Sequence, residues 1–350
     1  MTFCSIIPDD MLERIGDKRS LDASKLIREL RTEGLNIPEP KAHQEVRVLY
    51  DAKGSMTSGD IIAMDVQTHS TTPSKYPELQ FFNIVYDFIH DALQRESYDN
   101  QNAAMRIYKN VGKNYNNAFW DGATFKFGNG DQETFRTFWI QSIATHEAFH
   151  AVTEWISGLR YTGQSGALNE SVSDVFAVSV DQLLANQKPE EASWLIGEGV
   201  FMGHINGKAL RTFKNEPAYD DQWIGTDIQP KHMDDYMDLP NNDKNDHGGV
   251  HINSGITNHA FYQFCMLTGE YAWKMPLNVW YNALSNSRPD TTFAQFADHT
   301  MTWCMPQHKD KLLEAWNRVG IVPDGTVRKE NPIISFLKYL ISLIINIFNR

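Results

Sequence analysis

Cysteine is scarce in this sequence. Three residues, Cys4, Cys265 and Cys304, stand in a chain of 350, too few for a disulfide framework and leaving at least one thiol unpaired within a monomer. Cys265 and Cys304 read as two buried thiols rather than a bridge, since a bridge needs an oxidising compartment. Positive charge is in the minority: 32 Lys and Arg face 44 Asp and Glu, a formal net charge of -12. With no basic block or basic helix, a nucleic-acid partner is excluded, while acidity itself bears on solubility rather than mechanism. Neither an internal repeat nor a low-complexity tract occurs. The opening MTFCSIIPDDMLERIGDKRS lacks the positive n-region and the roughly 7–15-residue apolar core of a secretory signal. A precursor that stays in the cytoplasm, or is secreted by a non-classical route, is expected.

What is present is a soluble globular composition, 41% hydrophobic and 22% charged, with length for more than one core, because single cores stop growing at about 250–300 residues. Residues 1–45 read as a small separate unit: a helical pattern, LDASKLIRELRTEGL, then the Pro-punctuated linker NIPEPKAHQ. Such a segment suits a propeptide. Residues 46–162 are mixed, with a hairpin-like EVRVLYDAKGSMTSGDIIAM, a helical LQFFNIVYDFIHDALQRES and short strand-like runs between Gly and Asn turns. From Thr137 the character turns helical: one helix stops at Gly158, and the next has Ser165 as its expected N-cap. Further helical patterns cover 251–268, 275–285, 293–304 and 309–318, so 163–325 reads as a helical domain. The last part, 326–350, holds a long apolar run, NPIISFLKYLISLIINIFNR, whose Ser335, Lys338, Ser342, Asn346 and Asn349 form a narrow polar stripe. At under about 20 residues with an internal Lys it spans a membrane poorly; contact with a membrane surface or a partner protein through 331–350 fits better. Packing back on its own protein is the alternative.

The chemistry sits in SIATHEAFHAVTEWISGLRY. Residues four apart on a helix share a face, with Cβ atoms about 5–6 Å apart, so His146 and His150 can hold one metal ion. Glu147 points to the flank, where it can take a proton from a water polarised by the metal without ligating it. A chance histidine pair on a surface helix is the other reading of these five residues. Catalytic zinc wants three protein ligands and an open position. Downstream, GALNESVSDVFAV sets Glu170 and Asp174 four apart among Val172, Val175, Phe176 and Val178. Glu170 completes a His₂Glu set, and Asp174 can take the free N–H of a ligand histidine, with Asn169 in the same supporting layer. A solvated acidic face would account for the two acids, but the apolar neighbours argue against it.

Together with NDHGGVHINSGITNHAFY further on, these stretches resemble the thermolysin family of neutral zinc metallopeptidases, whose type member exemplifies a His₂Glu catalytic zinc. The likeness runs from NNAFWDG near 116 to WNRVGI near 321. It implies an α+β fold of two domains, a mixed α/β N-terminal domain and a mainly α-helical C-terminal domain, with the active-site cleft between them. It implies one zinc ion on His146, His150 and Glu170, with Glu147 as general base. His251 and Tyr161 would stabilise the oxyanion, and Asp246 would orient His251. Asn117 and Ala118 would bind substrate backbone, and Arg211 the carbonyl beyond the cleaved bond. Ile143, Ile196, Val200 and Leu210 match an apolar pocket and imply cleavage before bulky hydrophobic residues, although core packing would explain them equally.

Two departures matter. Ser142, Ser193 and Leu195 stand where the family's calcium sites carry acids; only Asp181 and Glu198 remain, a poor start for a cation that needs several oxygen ligands. Calcium dependence is therefore doubtful. The start, FCSIIPDDMLERI, is similar to the protealysin-like branch with short propeptides and implies self-inhibition followed by removal near 40–50. Cys4 there is either a zinc ligand of the precursor or merely apolar. The expected function is a monomeric zinc endopeptidase acting on proteins or peptides; a catalytically silent peptide-binding protein, or one that docks to a membrane or partner through its tail, is the rival.

Overall fold

The computed structural model describes residues 4–32, 46–66 and 74–323. Near the start, β1 (Cys4–Ser5) is followed by α1 (Asp9–Arg14) and α2 (Lys18–Thr32). The expected hairpin forms, β2 (Arg47–Asp51) against β3 (Asp60–Asp65), although burial does not alternate along β2, where Arg47, Val48 and Leu49 are all buried. Helix α3 (Pro77–Leu93) opens on a Pro, which loses no hydrogen bond in a first turn, and ends at Gln94 in the left-handed conformation. Three strands follow, β4 (Met105–Lys109), β5 (Ala118–Trp120) and β6 (Phe125–Phe127).

These strands form one mixed sheet in the order β1-β5-β6-β4-β2-β3. β4 runs parallel to β2 and β6, while β5 is antiparallel to β6 and to β1. The N-terminal residues thus complete the sheet on the edge that β5 would otherwise leave open. Phe82 of α3 meets Phe125 of β6 at 5.0 Å between ring centroids, fixing the helix across the sheet.

Next comes α4 (Gln141–Ile156), without Gly or Pro, closed by Ser157 and a left-handed Gly158 as expected. α5 (Gly163–Ala185) starts one turn earlier than the sequence suggested. Thr162 is the N-cap residue, and Ser165 lies inside the first turn, its Oγ donating to the carbonyls of Arg160 and Thr162. Phe149 of α4 and Phe176 of α5 stack at 3.8 Å and 10°; such a pair adds about 0.5–1.5 kcal/mol beyond its area burial, and it locks together the two helices that carry the candidate metal ligands.

Short strands β7 (Leu195–Ile196) and β8 (Arg211–Thr212) pair antiparallel, and four more helices follow, α6 (Asp246–Thr268), α7 (Met275–Asn286), α8 (Phe293–Trp303) and α9 (Lys309–Arg318). The first residues of α6, Asp246 to Gly249, all have positive φ. Gly248 is needed there, since a Cβ would approach the backbone nitrogen of Gly163 to 3.0 Å. That bend places His251 on the first regular turn. One hydrophobic cluster spans both halves, and all three cysteines are buried, with no disulfide among them. Among the described residues no helix is long and apolar enough to cross a membrane; the tail at 331–350 and the linker before residue 46 lie outside them.

Candidate active site

His146, His150 and Glu170 are fully buried, and one ligand atom from each lies within 4.8 Å of the others. Helical spacing alone puts the histidines together; burial of α4 and α5 against each other brings Glu170 beneath them. Each histidine is oriented by its far nitrogen. Nδ1 of His150 sits 2.8 Å from Oδ1 of Asn169, and Nδ1 of His146 sits 2.8 Å from Oδ1 of Asp174. Both partners are acceptors, so both Nδ1 atoms carry hydrogen and both Nε2 atoms are left with lone pairs. Those two Nε2 atoms face each other at 2.8 Å, an arrangement that needs a positive charge between them.

The site's electrostatics agree. Burial opposes charge on His146, but Asp174 and Glu170 outweigh it and raise its pKa to about 9. Burial dominates at His150 and lowers its pKa to about 3. Glu170 resists its own burial and is held well below the usual range by the surrounding histidines. One proton, or one cation, suits the pair. Oε2 of Glu170 is buried without a hydrogen-bond partner, and an anionic oxygen left this way costs several kcal/mol unless a cation meets it. Two neutral imidazoles and a carboxylate, each held from behind, are the donor set of catalytic zinc, so the residues fit the metal.

Around this centre the other groups converge. Glu147 is fully buried; its Oε2 accepts from the backbone N–H of Trp120 at 2.9 Å, and its Oε1 has no partner. Burial raises its pKa to about 8, in the range of a general base. His251 lies between two acceptors, with Nδ1 2.6 Å from Asp246 and Nε2 2.6 Å from the carbonyl of Ser5. Both nitrogens must donate, so the ring is an imidazolium, in line with a pKa raised to about 10 by Glu170 and Asp246 against the opposing effect of burial. Tyr161 donates to Glu170 and stands 3.1 Å from Nε2 of His251. Beneath His146, Asp174 accepts from Nε and Nη2 of Arg211 at 2.8 and 2.7 Å and from Asn258 at 2.9 Å.

The match to known proteins covers nearly the whole chain. Residues 50–154 match the thermolysin metallopeptidase catalytic domain, and residues 157–321 the thermolysin metallopeptidase alpha-helical domain. An extracellular metalloprotease of Pectobacterium carotovorum subsp. carotovorum is 32% identical over 338 residues, 91% of this chain and 96% of that protein. This chain belongs to the thermolysin family. Protease PrtS of Photorhabdus sp. (strain Az29) is 36% identical over 285 residues, 79% of this chain and 76% of that protein. The solved precursor of protealysin, a metalloproteinase from Serratia proteamaculans, superposes with a TM-score of 0.79 at 36% identity, covering 91% of this chain and 100% of that one. As a thermolysin-family member the chain is a zinc endopeptidase, a hydrolase whose substrates are proteins or peptides.

Asn117, Ala118 and Arg211 contact an extended peptide, namely residues 5–7 of this same chain. Of the four apolar pocket candidates, Leu210 lines the cavity beside Ile6 and His251, while Ile143, Ile196 and Val200 are fully buried. Ile143 and Leu210 approach each other across Gly197. Cys4 is buried with Tyr161 and Val250, and it does not join the described group of metal-binding atoms. Ser142 Oγ accepts from Gly197 N at 3.0 Å. Three contributors escaped sequence reading: Asn258, the Trp120 amide and the backbone of Ser5 to Ile7. Only the last had a signal, the apolar SIIP beside the cysteine.

Proposed function

We propose that this zinc endopeptidase is made as a precursor whose residues 4–32 fill its own cleft, and that the released enzyme cuts before bulky apolar residues. The observation that carries this reading is the set of bonds to the N-terminal strand. Ile6 N donates to Ala118 O at 3.0 Å, Arg211 Nη1 donates to Ile6 O at 3.1 Å, and Asn117 both accepts from Ile7 N and donates to Ile7 O. Such main-chain pairing along an open sheet edge is how an extended substrate is held. Ile6 is 0% exposed beside Leu210, which supports the apolar preference.

In this reading His146, His150 and Glu170 hold the metal, and the chemistry a bound zinc supplies is Lewis acidity toward a carbonyl and toward water. Glu147 takes the proton of the attacking water on its free Oε1 and passes it to the leaving nitrogen. His251 and Tyr161 donate to the carbonyl oxygen as negative charge builds there, and Asp246 keeps His251 aligned and protonated. Asn169 and Asp174 hold the ligand histidines in the metal-binding tautomer. With Asp181 and Glu198 as the only acids at the calcium position, activity does not depend on calcium there.

The test is cleavage of a peptide library by zinc-loaded full-length chain, followed through maturation, with Glu147→Ala in parallel. Cuts before Leu, Ile or Phe by wild type and none by the variant, with zinc bound to both, support the reading. An inert wild type that holds zinc would sink it.

A further inference from the structure

The N-terminal strand does more than cover the cleft. Cys4 pairs with Trp120 and Ser5 with Phe119 in antiparallel register. The peptide bond that follows, Ser5–Ile6, is gripped differently on its two sides. Its carbonyl oxygen, on Ser5, receives the N–H of His251 at 2.6 Å, from a ring backed by Asp246. Its nitrogen, on Ile6, donates to Ala118 O at 3.0 Å. Glu147 accepts from the amide of Trp120, the residue paired with Cys4 one position before this bond. Beyond the bond, Ile6 is buried, Arg211 holds the Ile6 carbonyl, and Asn117 holds both polar backbone atoms of Ile7. An inhibitor that only blocked the cleft would have no need to present a carbonyl to a cationic donor and an amide nitrogen to an acceptor in this order.

We infer that Ser5–Ile6 occupies the scissile position and is hydrolysed by the chain's own active site, a processing site that rests on the peptidase reading above. One water is consumed. The C–N bond between Ser5 and Ile6 breaks, Ser5 gains a carboxylate, and Ile6 becomes an ammonium terminus.

Only the part before Ile6 is then free to leave. The part after it stays docked, because Arg14 donates to Ile224 O at 2.8 Å, Ser24 meets the Tyr115 hydroxyl at 2.9 Å, and Ser20 Oγ accepts from Asn116 N at 2.9 Å. The cut therefore precedes activation without completing it. The cleft keeps its own primed-side product until the whole segment departs.

The experiment adds zinc to purified full-length chain and follows the N-terminus by mass spectrometry, with Glu147→Ala and Ile6→Asp in parallel and a peptide library as a second readout. A product beginning at Ile6, formed at a rate independent of protein concentration and absent in Glu147→Ala, is expected. Ile6→Asp should slow it at least about 100-fold, since a buried unpaired carboxylate replaces an apolar contact. In the zinc-free chain, the Ile6 and Ile7 amides should exchange slowly with deuterium, and Asn117→Ala should speed exchange at Ile7. Library cleavage with Ser5–Ile6 still intact would overturn the inference while leaving the peptidase standing. Loss of both products overturns the peptidase reading as well. A cut whose rate scales with concentration, or fast exchange at both amides, overturns the docked geometry.

Discussion

The Nε2 atoms of His146 and His150 point at each other across 2.8 Å, each fixed from behind, by Asp174 and Asn169 respectively. Two lone pairs so held are stable only with a cation or a proton between them, so metal and fold are linked. A ligand that binds only the folded state adds about 4 kcal/mol when present at a thousand times its Kd. Chelation of the zinc-loaded protein should lower its Tm, and added zinc should restore it. His150→Ala should show no response to zinc in the same melt. Equal melting of loaded and chelated wild type would separate metal from stability.

Asp174 and Arg211 form the second linked pair. The carboxylate takes two guanidinium hydrogen bonds and also holds His146, and its pKa is lowered to about 2 by Arg211 and His146 despite burial. Removing one member leaves the other charged and buried, which costs about 3–5 kcal/mol, whereas replacing both with apolar groups is far milder. Asp174→Ala should lose stability on that scale, and zinc affinity by about 10–100-fold. The double variant Asp174→Leu/Arg211→Met should recover much of the stability in a denaturant melt without recovering zinc affinity. Additive losses in the double variant would rule out the coupling.

How far the sequence discloses this site depends on the distance over which each contact is set. The pair His146 and His150, and the pair Glu170 and Asp174, are readable because one helical turn fixes them and no distant residue is needed. Asn169 is marked only by standing next to Glu170, since its bond to His150 crosses 19 positions and two helices. The start of α5 after Thr162 rather than Ser165 was not readable, because both residue types suit an N-cap position and Thr162 holds it without a side-chain cap bond. The Trp120 amide on Glu147, Asn258 on Asp174, and Ser5 beneath His251 depend on pairings across 27, 84 and 246 positions. No periodicity carries such information. The helical second half was likewise legible from apolar spacing, but the place of β1 at the sheet edge was not, since two extended residues leave no pattern.

His251 and Tyr161 offer a test of charge stabilisation apart from metal binding. Neither belongs to the group of ligand atoms, yet His251 donates to a carbonyl held in the cleft. Losing one such donor typically lowers kcat by about 10²–10³-fold. His251→Ala should show that loss on a peptide substrate with zinc content unchanged, and Asp246→Asn a smaller one in the same direction. A drop in zinc content of the same size would reassign His251 to the metal.

Asp181, partly buried beside Glu198, supplies a pH test of the proposed independence from calcium. Burial, and then the Glu198 charge, raise its pKa from 3.8 to about 7. Between about pH 4 and 7 the folded protein therefore binds a proton that the unfolded chain has released. Stability from this group falls as pH rises through that window and stays low above it. Asp181→Asn removes the ionisation, so its Tm should exceed that of wild type at pH 8, by about 2 °C or more, and approach wild type at pH 4. Were calcium the natural occupant, the ion would offset the same repulsion: wild type at pH 8 would then melt higher in calcium, and Asp181→Asn would not. The expected result is no calcium response in either protein, read from paired melts with and without the ion. A calcium-dependent rise in wild type alone would restore the site and remove the proton from the account.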